Sequence, residues 1–114
     1  MQLINELTSN PIQTMKLVLD TKETVQFNLR FMPTQQSWYF DFIYNDIECY
    51  GLKVALYPNV LRHFKNMIPF GIMFTSNDHV EPFKLDDFST NRIQMFVLNE
   101  NEIKEIEVMA FNEQ

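Results

Sequence analysis

This sequence predicts a mostly β fold, a single antiparallel β-barrel or β-sandwich domain of about six to eight strands. Three observations carry that expectation. Apolar and polar residues alternate over several short runs. Polar clusters rich in turn formers separate those runs. Phenylalanine dominates the aromatic supply, with 11 residues beside four tyrosines and one tryptophan, and such large flat side chains suit a pleated surface. At 114 residues the chain is long enough to bury roughly two-thirds of its unfolded surface. It divides into an extended arm over 1–12, a β core over 13–98 and a C-terminal extension over 99–114.

In the arm, Leu3, Ile4 and Leu7 lead into the polar cluster Thr8-Ser9-Asn10-Pro11, where Pro11 has no N–H to give a ladder. Met15, Leu17 and Leu19 then alternate with polar neighbours, and Thr21-Lys22-Glu23 connects to Val25, Phe27, Leu29 and Phe31, which alternate with Gln26, Asn28 and Arg30. These two runs predict a hairpin with one wet face. After a loop at Pro33 to Ser37, one face of the next strand carries Trp38, Phe40, Phe42 and Tyr44, and the other carries Tyr39, Asp41 and Ile43. Apolar residues on both faces mark this strand as central and covered on both sides, by the fold or by a partner. Asn45-Asp46 suits a two-residue turn into a return strand through Ile47, Cys49 and Gly51.

Beyond Pro58 the pattern changes. Val60, Leu61 and Phe64 sit at helical spacing, so a short helical turn is expected near residues 59–66, with Asn59 as its cap. Ile72 to Thr75 forms a short strand, Ser76 to His79 a turn, and Glu81 to Thr90 an irregular segment anchored by Phe83, Leu85 and Phe88. Arg92 to Leu98 is the last core strand. From Glu102 to Phe111 the positions of Ile103, Ile106 and Val108 fit neither period cleanly, which leaves extended and helical conformations both open.

Fifteen acidic and nine basic residues give a formal charge of −6, which disfavours nucleic-acid binding through a basic surface. The single Cys49 reads as a buried free thiol in a strand, with Glu48 beside it rather than a cation that would activate it. The N-terminal stretch lacks the basic, apolar pattern of a secretory signal, and no run is long enough to span a bilayer, so a soluble protein made in the cytoplasm is expected.

Catalytic, cofactor-binding and metal residues are expected to be absent. His63 and His79 stand 16 positions apart without a phosphate loop or nucleophile motif. Asp78-His79-Val80-Glu81 holds metal-capable side chains, but such a cluster is also ordinary turn chemistry. Asp86 and Asp87 are neighbours whose side chains should diverge into solvent, and Arg62, His63 and Lys65 read as a solvated basic group. A third and weakest reading is a metal-dependent hydrolase using His63, His79 and Asp78. Trp38, Tyr39, Tyr44, Tyr50 and Tyr57 offer an alternative function, a module binding a carbohydrate or hydrophobic ligand, set against the plainer reading that most of them are core. Tyr39 and Ile43 are the candidate partner contacts.

The order of these signals resembles a known family. Asn5-Glu6-Leu7-Thr8-Ser9-Asn10-Pro11-Ile12-Gln13-Thr14-Met15 is similar to a start of the form Ile-x-Leu-Thr-x-x-Pro-x-Gln-x-Phe. Trp38-Tyr39-Phe40-Asp41-Phe42 matches Trp-x-x-Asp-Ile, and Gly51 to Leu56 matches a Gly-x-x-Leu segment after the hairpin. Gly71 to Thr75 resembles Gly-x-Leu-x-Val, and Phe88 to Val97 resembles a late Leu-x-x-Leu-Tyr-Phe-Val. The family is that of the small baseplate plug proteins of contractile-tailed bacteriophages, related to the plug of a cyanophage baseplate. The chain departs from its pattern at Met15, at Phe70 where a second glycine is frequent, at Asp87-Phe88 and at Gln94-Met95. The resemblance implies a non-enzymatic virion protein, packed at the hub and spike region of the tail baseplate without a cofactor. Hub, spike or tail tube proteins would be its partners, with homo-oligomers arising within the assembly and no membrane involved.

Overall fold

A computed structural model of the chain describes residues 1–111. Seven strands, a short 3-10 turn and one helix follow in order: β1 (Gln2–Leu3), β2 (Ile12–Val18), β3 (Thr24–Met32), β4 (Ser37–Tyr44), β5 (Ile47–Lys53), the 3-10 turn (Arg62–Phe64), β6 (Gly71–Ser76), β7 (Ile93–Leu98) and α1 (Glu100–Phe111). The strands form two antiparallel sheets, a four-stranded one in the order β2-β3-β4-β5 and a three-stranded one in the order β1-β7-β6. Neither sheet closes on itself or pairs with the other, so the architecture is a sandwich rather than a barrel.

The predicted alternation becomes the inner face. Val25, Phe27 and Leu29 of β3 are buried, as are Trp38, Phe40, Phe42 and Tyr44 of β4. From the opposite layer come Phe70, Ile72, Phe74, Ile93, Met95 and Val97. Each inward ring of β4 meets a ring across the core: Trp38 meets Phe88 at 5.2 Å, Phe40 meets Phe74 at 5.8 Å, Phe42 meets Phe70 at 5.7 Å, and Tyr44 meets Phe70 at 5.6 Å. The tilted and edge-on geometries of these pairs follow the ring quadrupoles and add about 1 kcal/mol each to the burial of area.

Between β4 and β5 the turn Asn45-Asp46 places Asn45 at φ 53°, as its short polar side chain allows. The register then slips. Phe42 faces Cys49 and Phe40 faces Leu52, so Tyr50 and Gly51 together oppose Asp41. Gly51 takes φ +72°, and its N–H donates to Asp41 Oδ1 at 2.7 Å. At the start of β2, the buried Gln13 closes the polar cluster of the arm. Its Nε2 donates to the carbonyls of Thr8 and Asn10, both at 2.8 Å, and its Oε1 accepts from Thr8 N–H at 3.0 Å.

The expected helical turn forms as a run of turns around the 3-10 turn, and the Asn59 carbonyl opens it by accepting from Arg62 N–H at 3.2 Å, while Leu61 takes the N-cap position expected for Asn59. The Asn59 side chain is buried, with Oδ1 accepting from Leu61 N–H at 3.0 Å and from Ile72 N–H at 3.2 Å. It thereby ties the segment before the turn to the edge of β6. Phe83 and Leu85, expected as anchors, are 42% and 41% exposed. Pro82, Asp87 and Phe88 are the buried residues of that segment.

The C-terminal segment is a helix. Asn99 and Glu102 cap it reciprocally: Asn99 Oδ1 accepts Glu102 N–H at 2.9 Å and Glu102 Oε1 accepts Asn99 N–H at 3.0 Å. The amino group of Met1 also donates to Glu102 Oε2. Its inward positions are Ile103 and Glu107. Because a carboxylate fills the second, the apolar period looks broken in the sequence. Residues 112–114 of the expected extension lie outside the described residues.

At Gly71, a Cβ would stand 2.7 Å from Asn59 Oδ1, an atom fixed by its two bonds. Gly71→Ala should therefore lower unfolding stability by about 2 kcal/mol in a denaturant titration. An unchanged midpoint would show that Asn59 does not hold this edge.

Candidate interaction surface

The segment joining β6 to β7 is built around one arginine. Arg92, at the foot of β7, forms a bidentate pair with Asp87, Nε to Oδ1 at 2.7 Å and Nη2 to Oδ2 at 2.8 Å. The same guanidinium donates from Nη1 to Asp78 Oδ1 at 2.8 Å and to the Val80 carbonyl at 3.0 Å, and from Nη2 to the Glu81 carbonyl at 3.1 Å. Asp87 Oδ2 also accepts from the backbone N–H groups of Phe83, at 2.7 Å, and Lys84, at 2.8 Å. Arg92 and Asp87 thus organise a loop that has no strand or helix of its own and is otherwise held by backbone turns such as Thr90 N–H to the Asp86 carbonyl at 3.0 Å.

The loop is fastened to the core as well. Trp38 Nε1–H donates to the Lys84 carbonyl at 3.0 Å, and the Phe88 ring stands edge-on to Trp38. The side chain of Asp87 is only 1% exposed, and that of Arg92 13%. Burial by itself would raise the Asp87 carboxyl; Arg92 and the two backbone donors outweigh it and hold the group below the usual carboxylate range. The Asp78 carboxyl is lowered too, first by its Ser76 hydroxyl bond.

Fastening the backbone this way turns apolar side chains outward. Val80, Phe83 and Leu85 are 47%, 42% and 41% exposed. Arg92 lies over one side of the Phe83 ring at 5.0 Å, and Lys84 Nζ stands 5.3 Å from its centre. Val80, Phe83 and Leu85 are thus exposed apolar side chains of a fastened loop, with Arg92 and Lys84 beside the Phe83 ring.

The other candidate residues fall in different places. Trp38 is wholly buried and Tyr44 nearly so, and their neighbour Tyr39 is half-buried on the outer face of β4, so these three do not line one ligand surface. Tyr50 and Tyr57 are exposed. Tyr39 and Ile43 are half-buried among the side chains of their own face, flanked in register by Arg30 and Lys53 for Tyr39 and by Gln26 and Glu48 for Ile43. Between them Asp41 accepts from Arg30 Nη2 at 3.0 Å. His63 and His79 are exposed on separate segments. Among the described residues, no three His, Cys, Asp or Glu side chains gather as metal ligands. Asp86 is exposed while Asp87 is buried. Arg62 and Lys65 are held by Glu107, at 3.0 Å and 3.3 Å, rather than dispersed in solvent. Burial pushes the half-buried Cys49 thiol up, which disfavours the reactive thiolate.

These positions account for the sequence pattern noted at the outset. Thr8 and Gln13 bind each other, Asp41 binds Gly51, Trp38 binds the loop, and Gly71 lies against Asn59. The family model described as cyanophage baseplate Pam3 plug gp18 matches residues 1–100. The chain belongs to this family. No curated protein matches it. The stretch matched by the plug family takes in all seven strands and the Arg92 loop, and ends at the first residue of α1. No helix among the described residues is long and apolar enough to cross a membrane.

The lowered Asp87 carboxyl fixes the sign of a pH effect. Below about pH 4 the unfolded chain takes up a proton at Asp87 that the folded chain resists, so stability falls as pH decreases. Asp87→Asn should cost about 3 kcal/mol at neutral pH and flatten the acid limb of the stability profile. Equal acid limbs in the two proteins would refute the assignment.

Proposed function

We propose that this protein is a non-catalytic structural component of a phage tail baseplate and hence of the virion, seated at the central hub and spike region as a plug. The observation that carries the reading is the family match over residues 1–100, which takes in the whole sandwich. The site supports it. The charged side chains that would be available for chemistry, Asp78, Asp87 and Arg92, are engaged with one another in holding a loop. That loop presents Val80, Phe83 and Leu85 in a fixed geometry, which lowers the ordering cost of docking. Its partner is a neighbouring baseplate protein such as hub, spike or tail tube. Tyr39 and Ile43, half-exposed at the centre of the outer face of the four-stranded sheet, form a second and smaller contact.

Tails purified after complementation with variants test this reading. Val80→Ser with Phe83→Ser should reduce incorporation by about tenfold while the isolated protein keeps its melting temperature. Incorporation at the wild-type level would remove the loop from the interface, and absence of the wild-type protein from purified tails would remove the baseplate assignment itself. Tyr39→Ser with Ile43→Ser should give a smaller loss of incorporation in a folded protein; an unfolded double variant would show the pair to be core.

A further inference from the structure

Opposite ends of the chain meet at a second feature that the plug reading does not use. The β2–β3 connection and the Asn45-Asp46 turn face α1 across a cleft of about 890 Å³. Its floor is apolar, made by Ile68, Pro69 and Ile103, with Met67 and Val108 exposed at the margin. On its hairpin side Tyr44 donates its hydroxyl to Glu23 Oε2 at 2.9 Å, and Glu100 reaches the same hydroxyl electrostatically. Burial first, and then these carboxylates, push the Tyr44 hydroxyl up.

The cations of the cleft do not balance that corner. Lys65 is bonded to Glu107 at 3.3 Å on the far side, and Lys104 is exposed on the helix. Among the described residues Glu107 is met by both Arg62 and Lys65, at 3.0 Å and 3.3 Å, so the hairpin side of the lining carries Glu23 and Glu100 with Lys104 as the cation beside them. The two adjoining turns add Asp20 and Asp46 against Lys22, in a chain of net charge −6. Surplus negative charge beside an apolar floor complements a cation on an aliphatic stem, since the stem packs on the floor while the head meets the carboxylates.

We propose that this cleft receives an arginine or lysine side chain from an apolar-flanked segment of a neighbouring protein, with Glu23 and Glu100 as its acceptors. That the neighbour belongs to the baseplate rests on the functional reading above; the charge preference of the cleft does not.

The probe is the peptide acetyl-Leu-Arg-Leu amide, titrated into the isolated full chain while amide chemical shifts are followed by NMR, with the peptide carrying Gln in place of Arg as control. Saturable shifts should appear at Tyr44, Asn45, Ile103 and Lys104, weaken about fivefold in Glu23→Gln with Glu100→Gln, and weaken in high salt. Both substituted residues are exposed, so the variant should melt as the wild type does. No saturable shift, equal shifts with the Gln peptide, or undiminished shifts in the double variant would each overturn the proposal. None of these results bears on incorporation into tails, which tests the baseplate reading separately.

Discussion

The constraint on which the rest of the molecule depends is the row of rings along β4. Trp38, Phe40, Phe42 and Tyr44 each contact an aromatic side chain of the opposite layer. Such a row allows little slippage, because moving β4 by one residue would turn all four outward and bring Tyr39, Asp41 and Ile43 into the core. The sandwich needs no long-range polar bond to set its layer spacing, since the rings fill it. Everything irregular in the chain is arranged around that fixed strand.

The irregular parts are held by a different means. Three carboxylates that are largely removed from solvent each meet a cation and each stabilise something the hydrophobic pattern does not specify. Asp41 with Arg30 sits beside the bulge at Gly51, Asp87 with Arg92 shapes the loop between β6 and β7, and Glu107 with Arg62 and Lys65 joins α1 to the 3-10 turn. Buried ion pairs contribute little net stability compared with well-packed apolar groups, but removing one partner is costly. Their value here lies in geometry. A carboxylate that accepts two backbone N–H groups and a guanidinium permits few alternative loop conformations.

That division explains what was legible in the sequence. The hairpin of β2 and β3, the two faces of β4, the turn at Asn45 and the short β6 and β7 all follow from period-two alternation and turn chemistry, which are local signals. Asp87 was not legible, because a carboxylate next to Asp86 in a polar stretch reads as solvated until its cation, five residues on, is seen to fold back. Phe83 and Leu85 misled for the converse reason: they are large and apolar, yet the backbone bonds made by Asp87 and Trp38 direct them outward. The helical period of α1 was hidden by Glu107, an inward charge whose partners lie some 45 residues earlier in the chain. Gln13 gave no local sign of its role beyond its place in the family pattern.

The docking surface proposed for the loop between β6 and β7 depends on the buried carboxylate holding that loop in the isolated protein. Hydrogen exchange of the Phe83 and Lys84 amides measures this directly, since neither residue lies in a strand and both donate to Asp87. Exchange slowed by about 10²-fold or more relative to an unstructured peptide is the result expected. Exchange of both amides at the unstructured rate, in a protein whose β3 and β4 amides remain protected, would contradict the account.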